Sequence, residues 1–294
     1  MKAVFPIASC LFGLYLLCMN DYAHALIDEE QDAKASSISA FQAKPPIPSN
    51  AERSDSYKKI LFVGNSFSFY NNGIHNQLGS LIRAQGEWER GENRMRLLTL
   101  SGGHIHEHLD GLANQLKHDP RPWQAVVLQG HSNEPISKRK QDRFDESLSK
   151  AIQIIKERQL TPILFMTWGY KGEPDMAQAL RHAYEAQAAK HQVAVVPVGL
   201  AFQRAEKVFP DINLFVKDVL GMSESAGTER RLTYRDDIKH PSAAGTYLAA
   251  CVFYASLYQR SPEGNVFTAG LKNTDAHKLQ TLAWETVSEY FNYR

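Results

Sequence analysis

Three polar residues, far apart in the chain, are of the types from which a nucleophile and its base are built. Ser66 follows an apolar run at 60–63, separated from it by Gly64 and an asparagine. Asp237 and His240 stand three positions apart in DDIKHPSAAGTY (236–247). A carboxylate that accepts from Nδ1 of an imidazole leaves Nε2 free to take a proton from a hydroxyl. Ser66, His240 and Asp237 are therefore candidates for a nucleophile, its base and the acid that orients the base.

Two simpler interpretations of these residues stay open at this point. Gly64 can adopt a positive φ in a turn while Ser66 caps the following helix, with no chemistry involved. Asp237 and His240 can form an ordinary salt bridge within a loop. The elements that would position the three side chains therefore have to be considered.

Short apolar runs alternate with longer amphipathic stretches from residue 58 onward. The runs predict strands at 60–63, 96–100, 125–128, 163–166 and 194–198. The amphipathic stretches predict helices at 74–84, 104–116, 142–158, 175–190, 243–258 and 274–291. Strict alternation of this kind indicates a parallel sheet with helices on both faces. Ser66 would then lie at the carboxyl end of the first strand, where parallel sheets place their ligands.

Four segments together resemble the SGNH (GDSL-type) hydrolases. They are GNSFS at 64–68, a glycine after the second strand, QGHSN at 129–133 and DIKHP at 237–241. The resemblance spans residues 58 to about 258 and implies a three-layer α/β/α sandwich with a central parallel sheet, flavodoxin-like in kind. It also implies that Ser66, His240 and Asp237 form the triad of an esterase. Asn65 departs from the aspartate that many members have beside the serine.

Acyl transfer needs hydrogen-bond donors aimed at the developing oxyanion. We expect the backbone amides of Ser66 and Gly103 to serve, together with a side-chain amide. Similarity to the family favours Asn133 for this last role, and Gln129 remains an alternative.

The substrate is expected to be an ester of a small molecule or a glycan. QGHSN also looks like a segment of the sialate and xylan acetylesterase branch, which implies a short acyl group on a sugar. Trp168 or Tyr170, after the fourth strand, would then bind the sugar ring, with core packing of the tryptophan as the equal alternative. Other functions left open are a lipase or thioesterase for longer acyl chains and a non-catalytic glycan-binding module.

Composition and charge argue against a nucleic-acid partner, and the residues give no indication of a cofactor. The chain has 294 residues, 43% of them hydrophobic, and a net charge of +1, so we expect no nucleic-acid partner. The triad chemistry needs no cofactor. His104, His106 and His108 suggest zinc, but a helix would place only the first and last on one face, so we expect no metal.

The amino-terminal segment predicts export. Residues 1–25 carry one lysine, an apolar run and Ala23-His24-Ala25, the pattern of a cleaved signal peptide. Residues 26–57 are polar and contain KPPIPSN, which indicates a flexible leader before a hydrolase domain at 58–294. We expect a secreted or periplasmic protein without stable membrane insertion after cleavage, and its oligomeric state is left open.

Overall fold

The computed structural model describes residues 57–224 and 230–293. The predicted signal peptide (1–25) and, apart from Tyr57, the predicted leader (26–57) lie outside the described residues.

A five-stranded parallel sheet forms the centre of the described chain. Its strands lie in the order β2-β1-β3-β4-β5, with β1 at the second position. The side chains of β3 and nearly all of β1 are buried, which suits inner strands covered on both faces. The five strands are β1 (Lys59–Gly64), β2 (Arg94–Thr99), β3 (Ala125–Leu128), β4 (Thr161–Phe165) and β5 (Ala194–Val196).

Helices cover both faces of this sheet. Alternate residues of β1 show the division, since Phe62 packs in a cluster with α2, α6, α7 and α8, while Val63 packs in a second cluster with α3, α4 and α5. The predicted three-layer α/β/α sandwich is confirmed. The helices are α1 (Ser66–Phe69), α2 (Ile74–Ala84), α3 (Ile105–His118), α4 (Gln141–Lys156), α5 (Pro174–His191), α6 (Val198–Val208), α7 (Ala243–Tyr258) and α8 (Asn273–Phe291), and a short 3₁₀ helix covers Glu134–Ile136.

Helix α7 is the most deeply buried element. Every residue from Ala244 to Tyr258 is buried, as expected for a helix that is apolar on all sides and packed within a core. None of the helices in the described ranges is both long and apolar enough to cross a membrane.

Four short strands outside the central sheet were not predicted. Strands β6 (Phe215–Val216) and β9 (His240–Pro241) pair antiparallel, and between them β7 (Val219–Glu224) and β8 (Arg230–Tyr234) form an antiparallel pair. Together they occupy the stretch before α7 that leads to His240.

Candidate active site

The turn after β1 is built around an obligatory glycine. A Cβ on Gly64 would lie 2.4 Å from Gln129 Oε1 and 2.7 Å from Ser68 Oγ, so no larger residue fits. Its φ is not positive, which argues against the alternative interpretation of a left-handed turn at Gly64. The glycine is required by the close approach of Gln129 and Ser68.

Asn65, and not Ser66, caps helix α1. Its Oδ1 accepts from the Phe67 backbone N–H at 3.2 Å, and its Nδ2 donates to the Gly103 carbonyl at 2.9 Å. Gln129 Nε2 donates to the same Oδ1 at 2.8 Å. Ser66 is thus the first helical residue, and its hydroxyl has no role in capping.

The structure brings Ser66 and His240 into direct contact. Ser66 Oγ lies 2.7 Å from His240 Nε2, although the residues are 174 positions apart. Ser66 leaves the carboxyl end of β1, while His240 lies in β9, immediately before the proline that leads into α7. The separation is within the hydrogen-bond distance expected of a nucleophile and its base.

The acid that holds His240 is Asp218, and the prediction of Asp237 is wrong. Both carboxylate oxygens of Asp218 lie close to His240 Nδ1, at 2.7 and 2.6 Å. Asp237 instead contacts Arg235 Nε at 3.0 Å and Lys239 Nζ. The hydrogen bonds from Lys239 and Arg235 hold the pKa of Asp237 below its usual range. The carboxylate of Asp237 is therefore paired with two neighbouring cations and not, as the sequence spacing had indicated, with His240.

A two-residue strand pair positions Asp218. Val216 pairs with His240 across β6 and β9, and Asp218 follows Val216 by two residues. Asp218 lies just beyond the carboxyl end of β6, and the pairing of Val216 with His240 brings its carboxylate close to the imidazole. Nothing in the sequence around Asp218 marks it, because strands of two residues carry no detectable periodicity.

Aromatic rings fix the imidazole from its sides. The ring of Tyr70 stacks on His240 with centroids 4.5 Å apart and planes 4° from parallel, and Phe67 packs edge-on at 5.9 Å. Burial, together with the negative charge of Asp218, raises the pKa of Tyr70. Tyr70 is therefore a neutral phenol at physiological pH, and it restricts the ring to one orientation.

The predicted oxyanion donors occupy other positions. The Gly103 N–H donates to the Leu100 carbonyl at 3.0 Å, which closes a turn. The side-chain amide of Gln129 is hydrogen-bonded to Asn65 and Ser68. Asn133 Oδ1 accepts from Lys140 at 3.0 Å. The structure therefore does not bring Gly103, Gln129 or Asn133 to the cavity beside Ser66.

Two backbone amides stand in a more suitable place. Gly102 lines the same cavity as Ser66, and it has φ 66°, a conformation that favours glycine. Among the described residues, the backbone N–H groups of Ser66 and Gly102 donate to no backbone carbonyl outside the helices and strands. The sequence analysis selected Gly103, whereas the structure places the neighbouring Gly102 at the cavity.

Trp168 belongs to the core. It is fully buried, with Phe67 stacked on one side at 4.6 Å and Phe202 on the other at 4.2 Å. Its Nε1 donates to the Lys239 carbonyl at 2.9 Å, so it joins the turn of the serine to the loop of the histidine. The prediction that Trp168 binds a sugar is wrong, and core packing is the correct alternative.

Tyr170 lies one layer behind the cavity wall. Its hydroxyl is 2.9 Å from Ser132 Oγ, and Lys239 Nζ lies 5.2 Å from its ring centroid. Ser132 and Lys239 face the cavity, whereas Tyr170 does not line it. It supports two residues that line this cavity and is not itself part of the wall.

An open cavity of about 390 Å³ lies over Ser66 and His240. This volume is at the small end of the range for ligand sites. Its wall is divided about evenly between polar and apolar surface, and three of its lining residues are aromatic. The lining residues are Asn65, Ser66, Phe67, Phe69, Tyr70, Ser101, Gly102, His131, Ser132, Arg235, Lys239 and His240.

The chain has the fold of several solved structures of low sequence identity. A DUF4886 family protein from Bacteroides uniformis superposes with a TM-score of 0.58 at 18% identity, over 79% of this chain and 95% of that one. The YxiM protein of Bacillus subtilis gives a TM-score of 0.51 at 15% identity, over 71% of this chain and 58% of that one. A member of the lipolytic G-D-S-L family from Veillonella parvula gives a TM-score of 0.48 at 16% identity, over 68% of this chain and 98% of that one.

No protein-family model matches this chain, and no curated protein does. At these identities the structural likeness establishes the shared α/β/α fold. The chemistry has to be argued from the side chains.

Proposed function

We propose that this protein is a serine esterase of the SGNH type that hydrolyses short acyl esters through a covalent acyl-enzyme. The observation that carries the proposal is the continuous contact from Ser66 Oγ to His240 Nε2 and from His240 Nδ1 to Asp218, at the floor of an open cavity. A serine, an imidazole and a carboxylate in this sequence of contacts are the parts of a nucleophile activated by a general base.

The first half-reaction begins at Ser66. Asp218 accepts the Nδ1 hydrogen of His240, which leaves Nε2 unprotonated and directed at the serine hydroxyl. As Ser66 Oγ bonds to the ester carbonyl carbon, its proton passes to His240 Nε2. The carbonyl oxygen becomes an oxyanion, and we assign its donors to the backbone amides of Ser66 and Gly102.

Collapse of this intermediate completes acyl transfer. The bond between the carbonyl carbon and the alcohol oxygen breaks, and His240 gives its proton to the leaving alcohol. Water then enters, loses a proton to His240 and attacks the acyl carbon. Ser66 recovers the proton as the carboxylic acid departs, so every atom and proton is accounted for.

The cavity supports a short acyl group on a polar alcohol. Its volume of about 390 Å³ leaves little room for a long chain, and Ser101, Ser132 and Lys239 offer hydrogen bonds to a hydroxylated leaving group. An O-acetylated carbohydrate has both features. The resemblance of QGHSN to carbohydrate acetylesterases favours the same substrate class.

The test compares acyl lengths and leaving groups on the purified protein. We expect faster release of nitrophenol from the acetyl ester than from the octanoyl ester, and release of acetate from an acetylated xylan. A Ser66→Ala variant with the activity of the wild type would refute the mechanism. Activity on octanoyl esters alone would refute the short-chain assignment and leave the mechanism standing.

Hydrolysis of longer acyl esters is a second candidate, favoured by one observation. The strand pair β7 and β8, which connects Asp218 to Arg235, exposes apolar side chains at Val219, Leu220, Met222, Leu232 and Tyr234. Apolar residues that extend from a cleft are suited to contact an acyl chain beyond it. Replacement of Leu220 and Met222 by serine would lower octanoyl activity without affecting acetyl activity if this candidate is correct.

We also propose export with cleavage of residues 1–25, on the basis of their apolar run and Ala23-His24-Ala25. Mass analysis of protein from the native host should find a start near Leu26. An intact Met1 on the mature protein would contradict this.

A further inference from the structure

Two histidines and a glutamate meet beside the cavity, outside the catalytic contacts. One ligand atom each from His104, His106 and Glu134 lies within 4.8 Å of the other two. The separation between His104 Nδ1 and Glu134 Oε1 is 2.8 Å. The three residues come from two segments, the start of α3 and the 3₁₀ helix after β3.

The ligand atoms of this cluster are buried and unsatisfied. Glu134 has no solvent exposure, and its Oε1 has no hydrogen-bond partner among the described residues. Nδ1 of His104 and Nδ1 of His106 are also buried without a partner in that part of the chain. The 2.8 Å contact therefore lacks the angle of a hydrogen bond, although its length is short enough. Buried polar atoms left unpaired are costly and rare, and several directed at one point indicate a missing binding partner.

The surrounding contacts hold the carboxylate in place. The other oxygen of Glu134, Oε2, accepts from the His131 backbone N–H at 3.1 Å, which leaves Oε1 to face the histidines. The His104 backbone N–H donates to Glu107 Oε2 at 2.8 Å and so fixes the position of His104 before α3. Such outer contacts are typical of residues that ligate a metal.

Two imidazoles and one carboxylate are a ligand set that zinc prefers. Ligand atoms around a tetrahedral zinc ion stand roughly 3.4 Å apart, given bonds of about 2.1 Å. The three ligand atoms lie within 4.8 Å of one another and the His104–Glu134 pair lies at 2.8 Å, so small side-chain rotations suffice to reach this spacing. We propose that His104, His106 and Glu134 bind a zinc ion, with a water molecule in the fourth position.

This site would stabilise the cavity wall and take no part in the reaction. Gly102, which lines the cavity, lies two residues before His104, and the lining residues Ser132 and His131 lie two and three residues before Glu134. The ring of His131 also stacks on that of His104, with centroids 4.4 Å apart. A zinc ion would therefore tie together the two adjacent loops, both of which contribute residues to the cavity wall.

The proposal departs from the expectation of no metal. That expectation placed His104, His106 and His108 on one helix, where His104 and His106 would diverge. His104 is instead the residue before α3, with φ −97° and ψ 161°, and this extended backbone lets its ring approach that of His106, with centroids 5.6 Å apart. The third ligand, Glu134, comes from another loop, and spacing within α3 gives no sign of it.

The experiment measures zinc binding and not activity. The full chain, stripped with a chelator and dialysed, is titrated with Zn²⁺ by calorimetry and heated with and without the ion. We expect one zinc ion per chain at micromolar affinity or tighter, with a higher Tm in zinc than in Mg²⁺. Zinc affinity should fall about 100-fold or more in His106→Ala and in Glu134→Gln, which keeps an oxygen for the His131 N–H.

His118→Ala is the matched control, because His118 is exposed at the far end of the same helix. It should bind zinc as the wild type does. Binding of less than one ion by the wild type, or equal affinity in wild type and His106→Ala, would overturn the proposal. Near-UV circular dichroism checks that each variant is folded, and His106, which is half-buried, gives a result even if Glu134→Gln does not fold.

This inference is independent of the proposed esterase. Zinc binding with no reaction at Ser66 would leave the metal site standing and refute the esterase. An active serine with no zinc binding would leave the esterase standing and refute the metal site.

Discussion

His240 Nδ1 lies 2.6 Å from Asp218, which precedes it by 22 positions, and not against Asp237, which precedes it by three. The imidazole is thus held by a residue at the start of an inserted strand pair. The local Asp-x-x-His spacing belongs to a surface cluster in which Asp237 is bonded to Arg235 and Lys239.

The two aspartates are distinguished by matched substitutions. Asp218→Asn should lower kcat for a short aryl ester by roughly 100-fold to 10,000-fold, because an amide there no longer favours the productive imidazole tautomer. Asp237→Asn should change kcat by less than about 10-fold, because it alters a contact with two cations near the cavity rim. Steady-state rates of both variants decide between them, and a larger loss in Asp237→Asn would contradict the assignment.

Gln129 is predicted to stabilise the fold and not the oxyanion. Its side-chain Oε1 accepts from the Asn65 backbone N–H at 3.1 Å and from the Ser68 hydroxyl at 2.7 Å, and both hydrogen bonds are buried. Gln129→Ala should lower the free energy of unfolding by about 3 kcal/mol, since buried polar groups lose their partners. The control Asn133→Ala, which removes one half-buried contact with Lys140, should cost less than about 1 kcal/mol. Urea unfolding measures both, and similar losses would show that this account of Gln129 is wrong.

Asn65 is required because its side chain must donate as well as accept. Asn65 Nδ2 donates to the Gly103 carbonyl at 2.9 Å, and a carboxylate there would set two acceptors against each other. In Asn65→Asp the introduced carboxyl should have a raised pKa, because it donates only when protonated. Stability is then largest at low pH and is lost as pH rises through that pKa. We expect urea midpoints below those of the wild type by a wider margin at pH 8 than at pH 5, and an equal margin would contradict this.

His75 predicts a second dependence on pH, of opposite sign. Burial, assisted by the charge of Arg96, lowers the pKa of His75 to about 4. The pKa of a histidine in an unfolded chain is about 6.5. Between pH 6.5 and pH 4 the unfolded chain is therefore protonated at His75 while the folded chain is not, and the free energy of unfolding falls as pH drops from about 6.5 to about 4. His75→Gln should reduce the difference in unfolding free energy between pH 7 and pH 5. His118→Gln, at an exposed position, should leave that difference unchanged, and a response equal to that of His75→Gln would argue against this role of burial.

The sheet and most of its flanking helices, α6 (Val198–Val208) excepted, were predictable because their signals are long and local. The apolar runs at β1, β3 and β4 and the helical periodicities of α2, α4 and α5 fall close to their observed bounds. Ser66 and His240 were also recognisable, since each follows or precedes an element with a clear pattern. Their approach to 2.7 Å follows from the sheet order and could be inferred only through the fold.

The remaining parts of the site depend on contacts that sequence does not encode locally. Asp218 reaches His240 through strands of two residues, which are too short for an alternating pattern. Gly102 and Gly103 stand in one turn, and the sequence offers no way to tell which amide faces the cavity. In the structure the Gly103 N–H donates to the Leu100 carbonyl, which distinguishes it from Gly102. Trp168 was ambiguous because a tryptophan after a strand packs inward or outward with equal ease. In each instance a long-range contact overrides what neighbouring residues indicate.

Covalent labelling tests the central claim most directly. The full chain is treated with a fluorophosphonate, its intact mass is measured, and the modified peptide is sequenced. We predict one adduct per chain on Ser66, rapid in the wild type, absent in Ser66→Ala and slowed at least 100-fold in His240→Ala, where the serine loses its base. An adduct on another residue, or equal labelling of wild type and Ser66→Ala, would contradict the assignment of Ser66 as the nucleophile.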